Sequence, residues 1–265
     1  SVLSERKSVA VPKLFDLTSL HREANKVLGY TAKQTLDYAQ SLYEKKLITY
    51  PRTDSRYLTD DMAETFNAVL HMAAKVPPFD VVPNFYPSTE QVINNKKVSD
   101  HHAIIPTKEL EKTDLSTLTN GEKLLLLLII CRVLCAVYYP YTYESVTTEF
   151  GCDEHKFIHK GIKVVSLGFK EIQNLFKFEL DEDDEKDILL SDFHQGQVFE
   201  DCEMDVSEHH TKPPKPHTEA TLLLEMENAG VKDMADDVER KGIGTPATRA
   251  TIIEKIVQTG FAERK

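Results

Sequence analysis

The pattern of apolar residues changes near Pro140, and this change constrains the fold more than any other feature of the chain. Before Pro140, apolar side chains recur every three to four residues, which is the spacing of one helix face. After it, short runs rich in β-branched and aromatic residues favour strands. The helical spacing returns from Thr218 onward. We therefore expect an α+β protein with more than one domain.

Individual elements follow from the same patterns. Helices are predicted over residues 32–46, 59–74, 120–137, 218–229 and 246–258. Strands are predicted over residues 9–11, 145–150, 155–159, 161–165, 176–180 and 197–206. A helical block, residues 14–139, is thus inserted between a first strand segment, residues 1–13, and an antiparallel β region, residues 140–216.

Composition and residue spacing argue against a membrane-spanning protein and against a zinc-binding protein. The hydrophobic fraction of 41% and the charged fraction of 28% are those of a soluble globular chain. The longest apolar stretch, residues 124–137, is interrupted by Arg132 and is too short to cross a bilayer. The four cysteines show no C-x-x-C spacing, which argues against a zinc site. Cys131 and Cys135 lie one turn apart on an apolar helix, so we expect buried free thiols in a reducing compartment.

One tyrosine stands in a setting that suggests chemistry. Residues 47–55 read LITYPRTDS, so Tyr50 follows a predicted helix and precedes a proline. The residue before a proline is biased towards an extended conformation, and we expect Tyr50 to be exposed at an edge. Arg52 could grip a phosphate through two parallel hydrogen bonds and favour phenolate character in the tyrosine. The alternative is an ordinary helix end with a half-buried tyrosine, and with Arg52 paired to Asp54 or Asp37.

Two further motifs carry groups that can bind anions. Residues 99–107 read SDHHAIIPT, and a histidine such as His101 can donate to a phosphate in a pH-dependent way. Residues 241–253 read KGIGTPATRATII, which predicts a tight turn and then a helix capped by Thr245. The free N–H groups of such a first turn form an anion site. Alternatively, the histidines are structural or bind a metal, and the turn begins an ordinary helix; the role of His102 stays open.

These three motifs resemble the signatures of the type IA DNA topoisomerases, in the form used by the topoisomerase III branch. They follow one another in the order of that family, and the resemblance extends from about residue 11 to residue 265. It implies that the helical block carries the catalytic tyrosine and that the flanking β segments form a hinge domain. Residues 217–265 would then be part of a further helical, DNA-binding domain.

The resemblance also implies roles for individual residues. Tyr50 would attack a phosphodiester of single-stranded DNA and form a 5′-phosphotyrosyl link, releasing a 3′-hydroxyl without ATP. Arg52 would bind the scissile phosphate or its neighbour. His101, Thr248 and Arg249 would contact DNA.

The reaction of this family needs parts that these residues do not supply. A Toprim domain, N-terminal to this region in the family, holds Mg²⁺ through an Asp-x-Asp pair and also supplies a glutamate and a lysine. Residues 181–183 read Asp-Glu-Asp, but they follow the tyrosine and continue into an acidic run, so we reject them as that pair. We expect a fragment that binds no cofactor and is inactive by itself. Its expected partners are single-stranded DNA, the Toprim domain of the same full-length chain and a helicase, in the cytoplasm near the nucleoid and away from membranes.

The net charge of −11 is unusual for a protein that binds DNA. However, residues 171–208 contain 14 acidic and two basic residues, which leaves the remainder of the chain at +1. We predict that this acidic segment faces away from the DNA path.

Two other classes of function stay open. The chain could be a non-catalytic module that binds single-stranded nucleic acid, either DNA or RNA. It could also be a structural or protein-interaction domain that carries the motifs by coincidence. Mixing the fragment with a separate Toprim domain and magnesium discriminates between these classes.

Overall fold

The computed structural model describes residues 1–82, 87–179, 193–200, 202–230 and 242–264. Its contacts divide the chain into two compact units. The sheet unit contains Ser1–Val11 and Tyr139–Pro216, and the helical unit contains Pro12–Tyr138 and His217–Lys265. The predicted α+β class is confirmed. Residues 217–265 fall into the helical unit here, and their assignment to a further domain stays a prediction.

The sheet unit is built on antiparallel strands in the order β1–β2–β3. These are β1 (Val2–Val9), β2 (Tyr141–Cys152) and β3 (His155–Ser166). The strands predicted at residues 145–150, 155–159 and 161–165 are thus confirmed, and the last two merge into one. A tight turn joins β2 to β3, with Asp153 in the left-handed conformation at φ 50°. The short strand predicted at residues 9–11 is displaced, because β1 ends at Val9.

Two of the predicted strands are wrong. Residues 176–179 belong to α5 (Lys170–Glu179), while residue 180 lies outside the described part. Phe169, Ile172 and Phe176 are all buried, and their spacing places them on one helix face, which outweighs the local alternation. The segment 197–206, of which residue 201 is not described, is exposed and forms no strand, since no described strand pairs with it.

The helical unit is organised around α4 (Asn120–Ala136), which is apolar on all sides. A helix of this kind is stable only inside a core. Three helices contact it: α1 (Leu17–Leu28), α2 (Ala32–Glu44) and α3 (Ala63–Ala73). Most residues of α4 from Leu125 onward are buried, including Cys131 and Cys135, whose thiols form no disulfide, as predicted.

Capping residues fix the helix starts near the sequence predictions. Thr31 accepts a hydrogen bond from the Gln34 N–H at 3.1 Å at the start of α2. At the start of α4, Thr119 and Glu122 form the same reciprocal arrangement. These two pairs of reciprocal hydrogen bonds satisfy N–H groups that would otherwise lack partners, so α2 and α4 begin where the sequence indicates.

Two helices from the end of the chain complete the helical unit. They are α6 (Glu219–Asn228) and α7 (Pro246–Gln258), and both match the predicted spans. A cluster of buried residues joins them to α2: Ala32, Leu223, Met226, Ala250 and Ile253. Within the described ranges, no helix has the length and apolar content needed to span a bilayer.

Candidate active site

A turn after α2 leads into the short segment that carries Tyr50. Lys46 adopts a left-handed conformation at φ 60°, which reverses the chain direction. The N–H of Leu47 then donates to the Leu42 carbonyl at 2.9 Å. Leu47 and Ile48 are buried, so their side chains anchor the segment in the core and place Tyr50 just beyond it.

A second irregular segment lies beside this one. We call residues 47–58 the tyrosine segment and residues 97–107 the histidine segment. An antiparallel bridge joins them. The Thr49 N–H donates to the Ile105 carbonyl at 2.9 Å, and the Thr49 hydroxyl accepts from the Ile105 N–H at 3.0 Å. The two motifs, distant in sequence, are thereby fixed side by side.

Two hydroxyl side chains of the tyrosine segment form further hydrogen bonds to the histidine segment. The Thr53 hydroxyl donates to the His101 carbonyl at 2.9 Å, and the Ser55 hydroxyl donates to the Lys97 carbonyl at 2.9 Å. Thr53 and Ser55 are buried, so these bonds satisfy polar groups that would otherwise be costly in the interior. The two residues therefore shape the loop that carries Tyr50.

The phenol ring of Tyr50 packs against two other rings. Its centroid lies 4.5 Å from that of His101, with 48° between the planes. Tyr43, from α2, packs edge-on at 5.4 Å. Tyr50 is half-buried as a result, so it is less exposed than the sequence predicts. Its hydroxyl forms no hydrogen bond with the described residues.

Arg52 is exposed and forms no ion pair with the described residues. The two carboxylates considered as its partners are engaged elsewhere. Asp54 accepts from the Ser99 hydroxyl at 3.2 Å, and Asp37 pairs with Lys33 at 2.7 Å. The five N–H donors of the Arg52 guanidinium are therefore available to an anionic ligand.

The two histidines of the second motif are held differently. The Nδ1 of His102 lies 2.8 Å from the Ala103 carbonyl, and since a carbonyl only accepts, Nδ1 must carry the proton. His102 is thus tied to the backbone, while the ring of His101 contacts Tyr50. No group of three or more His, Cys, Asp or Glu side chains in the described ranges is arranged to hold a metal ion.

The third motif forms the tight turn that its glycines predict. Gly242 and Gly244 have φ of 60° and 68°. The Ile243 N–H donates to the Met226 carbonyl at 2.7 Å. A Cβ atom at Gly242 would lie 2.3 Å from that carbonyl oxygen, so a larger residue could not occupy the position without movement of the backbone. The turn leads into α7, with Pro246 as its first residue.

Arg249 and Thr248 do not share one environment. Arg249 is only 4% exposed, and it donates to the Ile243 carbonyl at 3.1 Å and to the Thr18 hydroxyl at 2.9 Å. This burial argues against the predicted DNA contact, because the guanidinium faces α1 instead of the surface. Thr248 is exposed, and its hydroxyl accepts from the Thr245 N–H at 2.8 Å. For both residues DNA binding stays a prediction.

Sequence reasoning missed a buried histidine beside Arg249. His21, on α1, is fully buried, and neither ring nitrogen has a hydrogen-bond partner among the described residues. Burial, and then the positive charge of Arg249, lower the pKa of His21 to about 4. The ring is therefore neutral at physiological pH. A single histidine on an apolar helix face gives no sequence signal of this environment.

Comparison with known proteins identifies relatives over the whole chain. The family model described as DNA topoisomerase matches residues 1–265. DNA topoisomerase 3 of Bacillus licheniformis is 38% identical over 98% of this chain, which corresponds to 37% of that protein. DNA topoisomerase 3 of Bacillus subtilis is 35% identical over 100% of this chain and 38% of that protein. The chain thus spans less than two-fifths of the length of these curated relatives.

A solved structure has the same fold. Full-length topoisomerase I from Thermotoga maritima covers 100% of this chain with a TM-score of 0.73 and 24% sequence identity, over 41% of its own length. At this identity the likeness concerns the fold alone. The family match, in contrast, extends from the first residue to the last. The chain therefore belongs to the family that its three motifs indicate, the type IA DNA topoisomerases.

Proposed function

We propose that this chain carries the nucleophilic tyrosine of a DNA topoisomerase and binds single-stranded DNA at the cut site. The full-length enzyme would cut one strand, pass another strand through the break and reseal it, relaxing negative supercoils or decatenating DNA. One observation supports this most strongly. The ring of Tyr50 is held 4.5 Å from that of His101, and the exposed Arg52 follows two residues later on the same segment.

The proposed step is a transesterification. The Tyr50 Oη forms a bond to phosphorus, and the bond from phosphorus to the 3′ oxygen breaks, which leaves a 5′-phosphotyrosyl link and a 3′-hydroxyl. The number of phosphoester bonds is conserved, so resealing needs no ATP. Arg52 would grip the non-bridging oxygens, and His101 would donate to the same or a neighbouring phosphate.

Two protons must move in this step. The Tyr50 phenol loses one, and the leaving 3′ oxygen gains one. Arg52 cannot provide the second proton, because its guanidinium stays charged at accessible pH. A positioned general acid typically contributes about 10²–10⁴-fold to such a reaction. We propose that this acid and the Mg²⁺ ion, which neutralises phosphate charge when bound, belong to a Toprim domain of the full-length enzyme.

The chain alone would then bind single strands without cutting them. No metal is assigned to its described residues, since they do not gather a set of ligands. The full-length enzyme would act in the cytoplasm on the nucleoid, with a helicase as a candidate partner. Covalent DNA product from this chain alone, with or without magnesium, would contradict this division of roles.

The polarity of the covalent link tests the proposed reaction. The full-length enzyme is incubated with single-stranded oligonucleotides labelled at either the 5′ or the 3′ end and then denatured with detergent. We expect label on the protein only from the 3′-labelled strand, because the tyrosine retains the downstream fragment. Label retained from the 5′ end would show the opposite polarity, and no label from either strand would count against nucleophilic cleavage.

A further inference from the structure

Two lysines converge on one tyrosine next to the candidate active site. The Lys97 Nζ lies 3.4 Å from the Tyr57 hydroxyl and 4.8 Å from the centre of its ring. The Lys13 Nζ lies 5.5 Å from the same ring centre. A phenol therefore stands where a carboxylate would be expected between two ammonium groups.

These positive charges lack the partners that neighbouring cations have. Arg56, adjacent to Tyr57 in sequence, pairs with Asp16 at 2.5 Å. Arg132, which donates to the Lys13 carbonyl, pairs with Glu23 at 3.2 Å. In the part of the chain that the structure describes, neither Lys13 nor Lys97 forms an ion pair. The two ammonium groups around the phenol are thus not neutralised by any carboxylate of the described residues.

The positive environment changes the pKa of the Tyr57 phenol. Partial burial alone would raise the pKa of Tyr57, but hydrogen bonds from Lys13 and Lys97, together with their charges, outweigh burial and lower that pKa. The same field that favours a phenolate favours any other anion at this position. It also makes the neutral hydroxyl a stronger hydrogen-bond donor to such an anion.

The backbone connects this cluster to both segments of the candidate active site. The Tyr57 carbonyl accepts from the Ala103 N–H at 2.9 Å, and the Lys97 carbonyl accepts from the Ser55 hydroxyl at 2.9 Å. Tyr57 therefore belongs to the segment of Tyr50, and Lys97 to the segment of His101. The two segments that hold Tyr50 and His101 thus also carry Tyr57 and Lys97.

We propose that Lys13, Tyr57 and Lys97 form a second phosphate subsite, which holds a backbone phosphate of single-stranded nucleic acid away from the scissile one. The two ammonium groups supply the charge, and the Tyr57 hydroxyl donates to a phosphate oxygen. This inference rests on the proposed function, since it assumes that a single strand lies along the two segments. The subsite would fix the register of the strand relative to Tyr50.

The test is the salt dependence of oligonucleotide binding. Anisotropy of a labelled oligothymidylate is titrated with the purified chain at several salt concentrations, and circular dichroism verifies the fold of each variant. The double variant Lys13→Ala/Lys97→Ala should reduce the slope of log affinity against log salt by about 0.7, the value for one phosphate contact on a single strand. Each single variant should reduce that slope by a smaller amount. Lys75→Ala is the matched control, because Lys75 is exposed, outside both segments and without an ion pair among the described residues.

The hydroxyl is tested separately. Tyr57→Phe should weaken binding by roughly tenfold, the effect of one hydrogen bond to a charged group, while the salt slope stays that of the unmodified chain. An unchanged slope in the double lysine variant would overturn the subsite alone. If the unmodified chain failed to bind the oligonucleotide even at low salt, the proposed function would fail and the subsite with it.

Discussion

The imidazole of His101 lies against the phenol of Tyr50, with 4.5 Å between the ring centres. The two residues come from separate motifs, and the contact exists because the Thr53 hydroxyl donates to the His101 carbonyl and because Thr49 binds Ile105. The arrangement places an imidazole ring beside the candidate nucleophile.

Replacing His101 tests whether its ring acts by packing or by donating a proton. His101→Phe keeps an aromatic ring against Tyr50 and removes both nitrogens, whereas His101→Ala removes the ring as well. We expect both variants of the full-length enzyme to form covalent DNA adduct about 10 to 100 times more slowly, because a hydrogen bond to a charged phosphate contributes about 1.5–3 kcal/mol. A His101→Phe enzyme with the unmodified rate would reduce the role of His101 to packing.

Arg52 should matter for DNA and not for stability. It is exposed and forms no ion pair with the described residues, so Arg52→Ala should leave the melting temperature nearly unchanged. Single-strand affinity should fall by about tenfold or more, and Arg52→Lys should recover only part of it, because an ammonium cannot form two parallel bonds to one phosphate. The control is Arg6→Ala, an exposed arginine on β1. Equal losses in the two variants would mean that the effect is one of net charge.

Buried His21 should make stability depend on pH. Its pKa is lowered to about 4 in the folded chain by burial and by Arg249, so between pH 6.5 and 4 the unfolded chain binds the proton more readily. Stability should therefore fall as the pH falls through this window, by about 2 kcal/mol from pH 7.5 to pH 5. Urea unfolding of His21→Leu should show a pH dependence smaller by that amount. His71→Leu, which replaces an exposed histidine, should not.

Glu122 links the start of α4 to the end of α2, the helix that leads to Tyr50. Desolvation would raise the pKa of this buried carboxyl, but hydrogen bonds from Lys45, Ser41 and Thr119 lower it to about 2. Glu122→Gln should cost about 1–3 kcal/mol of unfolding free energy at pH 7. Because the folded pKa is depressed, the stabilisation is present above about pH 4.5 and is lost as the pH falls towards 2, so the two proteins should converge there. Glu109→Gln, at an exposed ion pair, should cost less than about 1 kcal/mol.

Local sequence signals predicted the helices best. The capping pairs at Thr31 and Thr119 and the proline at position 246 fix where α2, α4 and α7 begin, since each acts within one turn. The strands failed where alternation was read without a partner. Residues 176–179 alternate locally, yet burial of Ile172 and Phe176 on one face makes the segment helical.

The candidate site was predictable in its residue types and not in its contacts. The motif letters indicated Tyr50, Arg52 and His101, but no local pattern places the His101 ring against that of Tyr50, because the contact depends on hydrogen bonds between distant segments. The burial of Arg249 against Thr18 was missed for the same reason. In each pair, Tyr50 with His101 and Arg249 with Thr18, the two residues lie on separate segments of the chain that only the tertiary fold brings together.

We assign the nucleophilic role to Tyr50. The most direct measurement compares full-length enzymes carrying Tyr50→Phe and Tyr30→Phe, each incubated with 3′-labelled single-stranded DNA and magnesium and then denatured. Tyr30, which packs on Tyr38, serves as the control for loss of a phenol hydroxyl. We expect labelled protein with Tyr30→Phe, and mass spectrometry of its peptides should map the DNA to Tyr50. Tyr50→Phe should give no labelled protein, although it still binds the strand. Covalent adduct formed by the Tyr50→Phe enzyme through another residue would contradict this assignment.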